Sequence, residues 1–251
     1  MPGLKSASQR ARRPVAGTKP DKPGRRAPSA LPHYRRAQRD RGADTRAQLI
    51  EAGMDVFGRL GFEGASTREI AKAASVNLAA IAYHFGGKEA LHIAVAEHIA
   101  GAIAASIGPT LASVAAPAAL ATPNAAHEAF RRLIGTFIDV ILGTAEAERW
   151  ARFIVREQMQ PTAAFDVIYR FIGGAATTAT RLVAAALQKP DDAEMRIRVF
   201  TMMGQVLVFR VAQAVVLRRM EWREIGDVER AAIKRVVLGN IDDILAAERK
   251  P

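Results

Sequence analysis

The chain has no cysteine among its 251 residues, and this absence removes several classes of protein. Disulfide scaffolds and thiolate catalysis are excluded, and a reducing compartment is compatible with the composition. The N-terminus has no apolar stretch behind its first charges, so we expect no secretory signal. The most membrane-like run, residues 199–217, is interrupted by Gln205, Arg210 and Gln213. We interpret it as a buried core or dimer helix and expect no membrane partner.

Patterns typical of strands, alternating polar and apolar residues flanked by turns, are also missing. Apolar residues instead recur at helical spacing in five long segments, near 124–142, 146–158, 162–187, 191–219 and 227–248. The Pro- and Ala-rich stretch 108–124 is predicted to be a linker or loop. Because 49% of the residues are hydrophobic, most of the chain can bury a core. The sequence therefore predicts an all-α fold.

The motifs of common enzymes are absent as well. Lys88 follows a glycine, but Ala82 and Glu89 stand where a phosphate-binding loop requires Gly and Ser or Thr. No HExxH or other close ligand spacing joins the five histidines. We therefore expect no enzymatic activity, no metal site and no cofactor.

Positive charge is concentrated at the N-terminus. The first 43 residues hold 12 Lys and Arg and two acidic residues, whereas the remainder holds 24 basic and 23 acidic residues. Residues 1–42 are predicted to be a disordered basic arm that attracts nucleic acid phosphates with little sequence preference. The alternatives are a solvated extension without a role and a start codon assigned too far upstream. The arginines nearest the first helix are the best candidates for phosphate contact, namely Arg35, Arg36, Arg39 and Arg41.

The first helix is predicted to begin at Asp44 or Thr45, where Thr45 and Gln48 have the spacing of a capping box. It is predicted to stop at Gly61. One stripe of this helix is apolar and is expected to face the core: Leu49, Ala52, Val56, Phe57 and Leu60.

Two short helices are predicted next. Ser66 and Glu69 form a capping box that opens the first, and residues 75–77 form a three-residue turn. Asn77 is predicted to be the N-cap of the second, which ends at Phe85. Two short helices joined by so tight a turn are the helix-turn-helix signature.

The 100° step of the second short helix divides its residues into two faces. Leu78, Ile81 and Phe85 fall on the face expected to join the core. The opposite, exposed face carries Asn77, Ala79, Ala80, Tyr83 and His84.

Residues 45–91 resemble the DNA-binding domain of the TetR family of bacterial repressors. The likeness is carried by the spaced Phe57 and Gly61, by S-T-x-x-I-A at 66–71 and by Y-H-F-x-x-K-E-x-L at 83–91. A glycine pair at 86–87 and the run FIVREQMQPTAAFDVIY at 153–169 further resemble what we term the CerR-type subgroup.

This resemblance implies a homodimer of all-helical protomers. A three-helix, helix-turn-helix DNA-binding domain would occupy residues 43–91, and a larger helical bundle for ligand binding and dimerisation would occupy residues 92–251. The partners implied are an operator in double-stranded DNA, a second copy of the chain and an unidentified small-molecule effector.

The resemblance also implies which residues contact DNA. The matching positions are Thr67, Arg68, Asn77, Leu78, Ala79, Ala80, Tyr83, His84 and Lys88. A helix N-terminus beside a cation independently suits a phosphate at Lys88, and Arg46 is a further expected backbone contact. Ala82 stands where most members have Tyr, so one familiar phosphate contact is expected to be missing.

Base reading should depend on few side chains, because alanines offer only methyl contacts. Arg68, Asn77, Tyr83 and His84 are the candidates, with DNA shape as an additional source of specificity. Tyr83 has a competing interpretation, packing against the first helix. His84 could make either a phosphate contact or a structural hydrogen bond.

In such a family the ligand lies among the C-terminal helices, in a largely apolar cavity with a few polar groups. The expected lining residues are Trp150, Phe153, Arg156, Glu157, Phe171, Met203 and Arg210, with Met202 and Phe209 as further candidates. Core packing or ion pairing is the competing interpretation for each. The last two helices are expected to form the dimer seam, through residues 199–217 and the stripe Val228, Ile233, Val236, Val237, Ile241 and Ile244.

The expected function is that of a cytoplasmic, ligand-responsive, sequence-specific DNA-binding regulator. It is expected to be a repressor, released from a palindromic operator when a ligand tilts the helix that begins at Lys88. Activation instead of repression stays open. The alternative is a non-specific architectural DNA-binding protein driven by the basic arm.

Overall fold

The computed structural model describes residues 32–249, with side chains described from residue 42 onward. Most of the predicted arm, residues 1–31, therefore lies outside the described residues, and so do the side chains of its four candidate arginines. Of the described residues, 32–39 at the start of the first helix belong to a separate unit, and every contact and site described below lies in residues 40–249.

The described chain is built from ten α-helices and one 3-10 helix, with no strand among residues 32–249. The predicted all-α fold is confirmed. The helices are α1 (Pro32–Gly64), α2 (Thr67–Ala73), α3 (Ala79–Phe85), α4 (Lys88–Ala115), α5 (Pro123–Leu142), α6 (Ala145–Met159), α7 (Ala163–Leu187), α8 (Ala193–Val211), α9 (Gln213–Met220) and α10 (Asp227–Glu248), and the 3-10 helix is Pro117–Leu120.

The first helix differs from its prediction at its start. The predicted beginning near Asp44 and Thr45 is wrong, because α1 is already helical from Pro32 and runs through both residues. Gly61 does interrupt it, with φ 74° and ψ 175°, a conformation that glycine adopts without steric cost. Four of the five predicted stripe residues are buried, whereas Leu60 is 36% exposed.

The predicted loop at residues 108–124 is wrong. Helix α4 continues through Pro109 to Ala115, the 3-10 helix follows, and α5 begins at Pro123. The buried Ile107 and Val114 hold the end of α4 against the core, and alanine favours helix throughout this stretch. A proline within a helix removes one backbone donor, and packing here outweighs that loss.

Residues 88–248 form a bundle in which α4, α5 and α7 pack against one another and α8 and α10 pack beside them. Four of the five predicted C-terminal segments match α5, α6, α7 and α10 to within about two residues. The fifth, 191–219, is divided at Ala212 into α8 and α9, which are bent by 75°. By length and composition α4 could span a membrane, and so could the bent pair if counted as one, but α4 is a core helix of this bundle.

The apolar surface expected to form the dimer seam is partly used inside the protomer. Ile233, Val237 and Ile241 are buried in its own core, so their predicted place in the seam is wrong. Val228, Val236 and Ile244 remain exposed on α10. The apolar residues exposed along α8 are Ile197, Phe200, Leu207, Val208 and Val211.

Candidate nucleic-acid interface

The tight turn before α3 is held by local hydrogen bonds. Ser75 adopts φ 55°, and the side chain of Asn77 accepts a hydrogen bond from the N–H of Ala79 at 2.8 Å. Gly86 ends α3 with φ 82°. The predicted turn and the end of the helix at Phe85 are thus confirmed. The predicted N-cap is wrong by one residue, because Leu78 is the N-cap of α3 and Asn77 makes its hydrogen bond from the turn before it.

Helix α2 is anchored in the same way. The Ser66 hydroxyl accepts from the Glu69 N–H at 3.2 Å, and the Glu69 carboxylate accepts from the Ser66 N–H at 3.1 Å, which completes the predicted capping box. The hydrogen bond from the Ser66 side chain is the main cause that lowers the pKa of Glu69. This carboxylate therefore stays ionised and bound to its own helix.

Tyr83 is the most exposed large side chain of α3, at 85%. Its ring meets that of His84 edge-on, with 4.9 Å between the centroids, and its predicted alternative of packing against α1 is wrong. Leu78, predicted on the core face, is 46% exposed, because it precedes the first turn of α3. Only Ile81 is fully buried on that face, while Phe85 is partly buried against the core.

Other predicted contact residues surround Tyr83. Arg68, Asn77 and Ala79 are exposed, Thr67 is half-buried, and α2 packs against α3. The guanidinium of Arg46 lies 5.1 Å from the centre of the Phe85 ring, which places a cation of α1 beside α3.

Two predicted contact residues are less accessible. Ala80 is half-buried and packs against the core, and the ring of half-buried His84 lies between those of Tyr83 and Phe85. Whether His84 also meets a phosphate stays a prediction.

Lys88 has a structural role that the sequence did not predict. Its ammonium donates to the carbonyls of Phe62 at 2.9 Å and Ala65 at 3.2 Å, and it lies 4.3 Å from the centre of the Phe62 ring. These contacts tie the start of α4 to the end of α1. An open groove of about 610 Å³ adjoins it, lined by residues 62–63 and 85–90. Whether this ammonium also meets a phosphate stays a prediction.

One turn further along α4, His92 forms a buried junction that sequence reasoning missed. Only 3% exposed, its ring lies between those of Phe57, Phe62 and Phe153, with centroid distances of 4.4, 4.9 and 5.0 Å. His92 Nε2 is 3.3 Å from the carboxylate of buried Glu157. The junction thus joins α1, α4 and α6. The sequence did offer a signal for this burial. His92 precedes the buried Ile99 by two helical turns, so helical periodicity places both side chains on the inner face of α4.

The junction continues to the start of α7. The other carboxylate oxygen of Glu157 accepts from the hydroxyl of Thr162 at 2.8 Å and from its N–H at 3.2 Å. Burial, with a smaller contribution from the ammonium of Lys88, lowers the pKa of His92 to about 4. His92 is therefore neutral at pH 7, and its contact with Glu157 is not an ion pair at that pH.

The predicted ligand residues are not gathered at one place. Phe153 and Glu157 belong to the His92 junction. Arg156 is exposed and donates to the Arg59 carbonyl at 3.0 Å, so its predicted place in a ligand cavity is wrong. The guanidinium of Arg210 donates to the Ile141 carbonyl at 2.5 and 3.0 Å.

The remaining predicted ligand residues lie in or against the core. Phe171, Met203 and Phe209 are half-buried, and Met202 is buried. Trp150 is 6% exposed, and its buried indole N–H has no hydrogen-bond partner among the described residues.

Comparison with known proteins agrees with this architecture. Residues 49–95 match the family model of bacterial regulatory proteins of the tetR family. Residues 126–247 match the model of the C-terminal domain of the HTH-type transcriptional dual regulator CecR. The chain is 33% identical over 210 residues to CecR of Shigella flexneri, which covers 82% of this chain and 93% of that protein. The chain belongs to the TetR family of bacterial transcriptional regulators.

Solved structures of TetR-like regulators share the fold. AibR, determined in complex with isovaleryl coenzyme A and operator DNA, has a TM-score of 0.58 at 16% identity and covers 78% of this chain and 97% of its own. FadR from Bacillus subtilis, in complex with stearoyl-CoA, has a TM-score of 0.53 at 17% identity and covers 78% and 96%. At such identities the likeness concerns the fold alone.

Membership of the TetR family decides between the two functions considered from the sequence. This TetR-family chain is a DNA-binding transcriptional regulator and not an enzyme, and homodimers are typical of the family. The architectural alternative finds no support. The subgroup indicated by residues 153–169 is confirmed, and its correct name is CecR.

Proposed function

We propose that this regulator is a cytoplasmic repressor that binds a palindromic operator as a homodimer and is released by a small molecule. The exposure of Tyr83 carries the proposal, because an aromatic side chain held outward by a tightly capped helix-turn-helix has no packing role in the protomer. A second copy related by two-fold symmetry presents a second α3, and paired half-sites about one helical turn apart fit such an arrangement.

In this proposal α3 enters the major groove. Tyr83 and Asn77 reach base edges, and the exposed Leu78 offers an apolar contact to a thymine methyl group. Arg46 and Arg68 contact the flanking phosphates, which position the helix without reading sequence. Thr67, Ala79, Ala80, His84 and Lys88 complete the proposed interface.

For the effector, we retain Trp150, Phe171, Met203 and Arg210 as the proposed ligand residues. A buried N–H without a partner costs about 1–3 kcal/mol, so an acceptor on a ligand would relieve the unpaired indole of Trp150. Because the fold relatives AibR and FadR were determined with isovaleryl coenzyme A and stearoyl-CoA, acyl-CoA thioesters are the first compounds to test.

Release would follow a shift between two conformations. A ligand that binds one arrangement of the bundle better moves α4, whose first two turns hold α1 through Lys88 and His92. The separation of the two recognition helices then departs from one DNA turn, and operator affinity falls.

Selection of binding sites from a random DNA library tests this proposal. We expect enrichment of a palindrome, followed by loss of affinity for it at fixed salt when an effector saturates the protein. Libraries without any enriched sequence would contradict operator reading. An effector that binds without changing operator affinity would contradict the coupling.

A further inference from the structure

An arginine of the sensing domain binds the first helix of the DNA-binding domain with its whole guanidinium. Arg149 on α6 donates from Nε to Asp55 at 2.7 Å and from Nη1 to Glu51 at 2.8 Å. Its third nitrogen, Nη2, donates to the Asp55 carboxylate and to the backbone carbonyl of Glu51, both at 3.1 Å. The hydrogen bond to Asp55 is the main cause that raises the pKa of Arg149.

The two helices also touch farther along. Arg156, two turns after Arg149, donates to the carbonyl of Arg59 at 3.0 Å. Between these contacts, a Cβ placed on Gly58 of α1 would lie 3.4 Å from the Cβ of Arg152 and 3.4 Å from the amide nitrogen of Phe153. Helix α6 therefore follows α1 over about two turns at close range.

The same contact region includes α4. The Glu51 carboxylate that accepts from Arg149 also lies 3.4 Å from Nε2 of His98 on α4. At the end of α6, Glu157 binds the start of α7 through Thr162. Helix α6 thus contacts the DNA-binding domain at one side and the sensing bundle at the other.

Stability alone does not account for this arrangement. Ion pairs this exposed contribute little to the free energy of unfolding. The guanidinium of Arg149, however, uses all its nitrogens to bind two carboxylates and a carbonyl of α1. Because its donors form a rigid planar fork, these bonds fix the angle between α6 and α1 as well as their distance.

We propose that α6 fixes the orientation of the DNA-binding domain directly, with Arg149 as the positioning residue. The C-terminal bundle then sets the preferred half-site spacing of the operator through the contact between α6 and α1, in addition to any effect through α4. The proposal rests on the proposed operator binding. Arg149 contacts no DNA in it and acts through α1.

Operators with one base pair added or removed between the half-sites test this positioning. We expect Arg149→Ala to bind the selected operator about threefold to tenfold more weakly than the unaltered chain, and to discriminate less against the altered spacings. Arg152→Ala is the matched control on the same helix, because Arg152 is exposed and pairs only with Glu148 among its described ion pairs. It should keep both the affinity and the spacing preference.

A reversible crosslink provides the second test, since the chain has no cysteine of its own. The Cβ separation at Gly58 and Arg152 is close to the usual disulfide range of about 3.5–4.5 Å. The triple variant Gly58→Cys, Arg152→Cys, Arg149→Ala should recover the original spacing preference when oxidised and lose it on reduction.

An Arg149→Ala variant with the spacing profile of the unaltered chain would overturn the proposal. An oxidised triple variant as permissive as its reduced form would overturn it too. Failure of the unaltered chain to select an operator contradicts the proposed function instead.

A measurement without DNA then tests the positioning alone. Spin labels attached at Ala47→Cys on α1 and Gln158→Cys on α6 report the distance between the two helices. Their distance distribution should broaden with Arg149→Ala but not with Arg152→Ala, and an unchanged width would overturn the proposal.

Discussion

At the scale of single residues, Tyr83 bears most of the proposed base reading. We expect Tyr83→Ala to weaken operator binding by about 1–3 kcal/mol, which is about fivefold to 140-fold, while leaving the melting temperature unchanged. Tyr169→Ala is the matched control, because that tyrosine is also exposed but lies on α7. Fluorescence anisotropy on the selected operator measures both, and equal affinities for the two variants would refute the role of Tyr83.

The buried His92 predicts how stability depends on pH. Its pKa of about 4 lies below the ordinary value of 6.5, so the unfolded chain binds more protons between these values. The free energy of unfolding should therefore lose about 2 kcal/mol from this group as pH falls from 7 to 4.5.

Denaturant unfolding at several pH values isolates that contribution. His92→Gln should show a shallower decline than the unaltered chain. Parallel curves for the two proteins would show that His92 does not titrate as its burial implies.

Residue roles were predictable where they depend on local geometry. The helical step and the tight turn before α3 placed Tyr83 outward without tertiary information. Lys88 and His92 were different, because their partners Phe62 and Glu157 are distant in the sequence. Leu78 was misjudged because a one-residue uncertainty in where a short helix begins rotates a side chain from core to solvent.

At the scale of elements, the sharp stop after α3 depends on a left-handed glycine. Gly86 has φ 82° and open space around its missing Cβ, and Gly101 in α4 has equally open space but belongs to a helix interior. Gly86→Ala should cost about 1–2 kcal/mol of stability through backbone strain, whereas Gly101→Ala should add about 0.5–1 kcal/mol. Denaturant midpoints that shift in the same direction for both would contradict this assignment.

Element prediction succeeded for most of the long amphipathic segments, and it missed the break at Ala212 within 191–219. The ends of α5, α7 and α10 were predicted to within about two residues, because capping residues mark them. The linker at 108–124 failed because prolines were interpreted as breaks, although Pro123 opens a helix and Pro109 is tolerated inside one. Burial of Ile107 and Val114 is a tertiary effect that local composition does not report.

At the scale of the whole molecule, the exposed apolar face of α8 predicts where two protomers meet. Phe200→Glu should convert the dimer to a monomer in sedimentation experiments, because a charge would be buried at the seam. Met159→Glu, at a more exposed apolar position at the end of α6, is the control and should remain dimeric. A dimeric Phe200→Glu protein would place the seam elsewhere.

The ligand residues were the least predictable part of the molecule. Which side of a C-terminal helix lines a cavity depends on how helices cross, and sequence periodicity separates inside from outside without separating cavity from core. Phe153 and Glu157 were correctly expected to be inside, yet they build the junction around His92.

The central claim is that sequence recognition resides in the helix-turn-helix and not in the charged N-terminus. Residues 1–31 carry eight basic residues and one acidic residue. The most direct measurement compares the affinities of the full chain and of a chain lacking residues 1–31 for the selected operator and for scrambled DNA, over a range of salt. We expect the shortened chain to show a shallower salt dependence while preferring the operator by the same factor. Loss of that preference on shortening would contradict the claim.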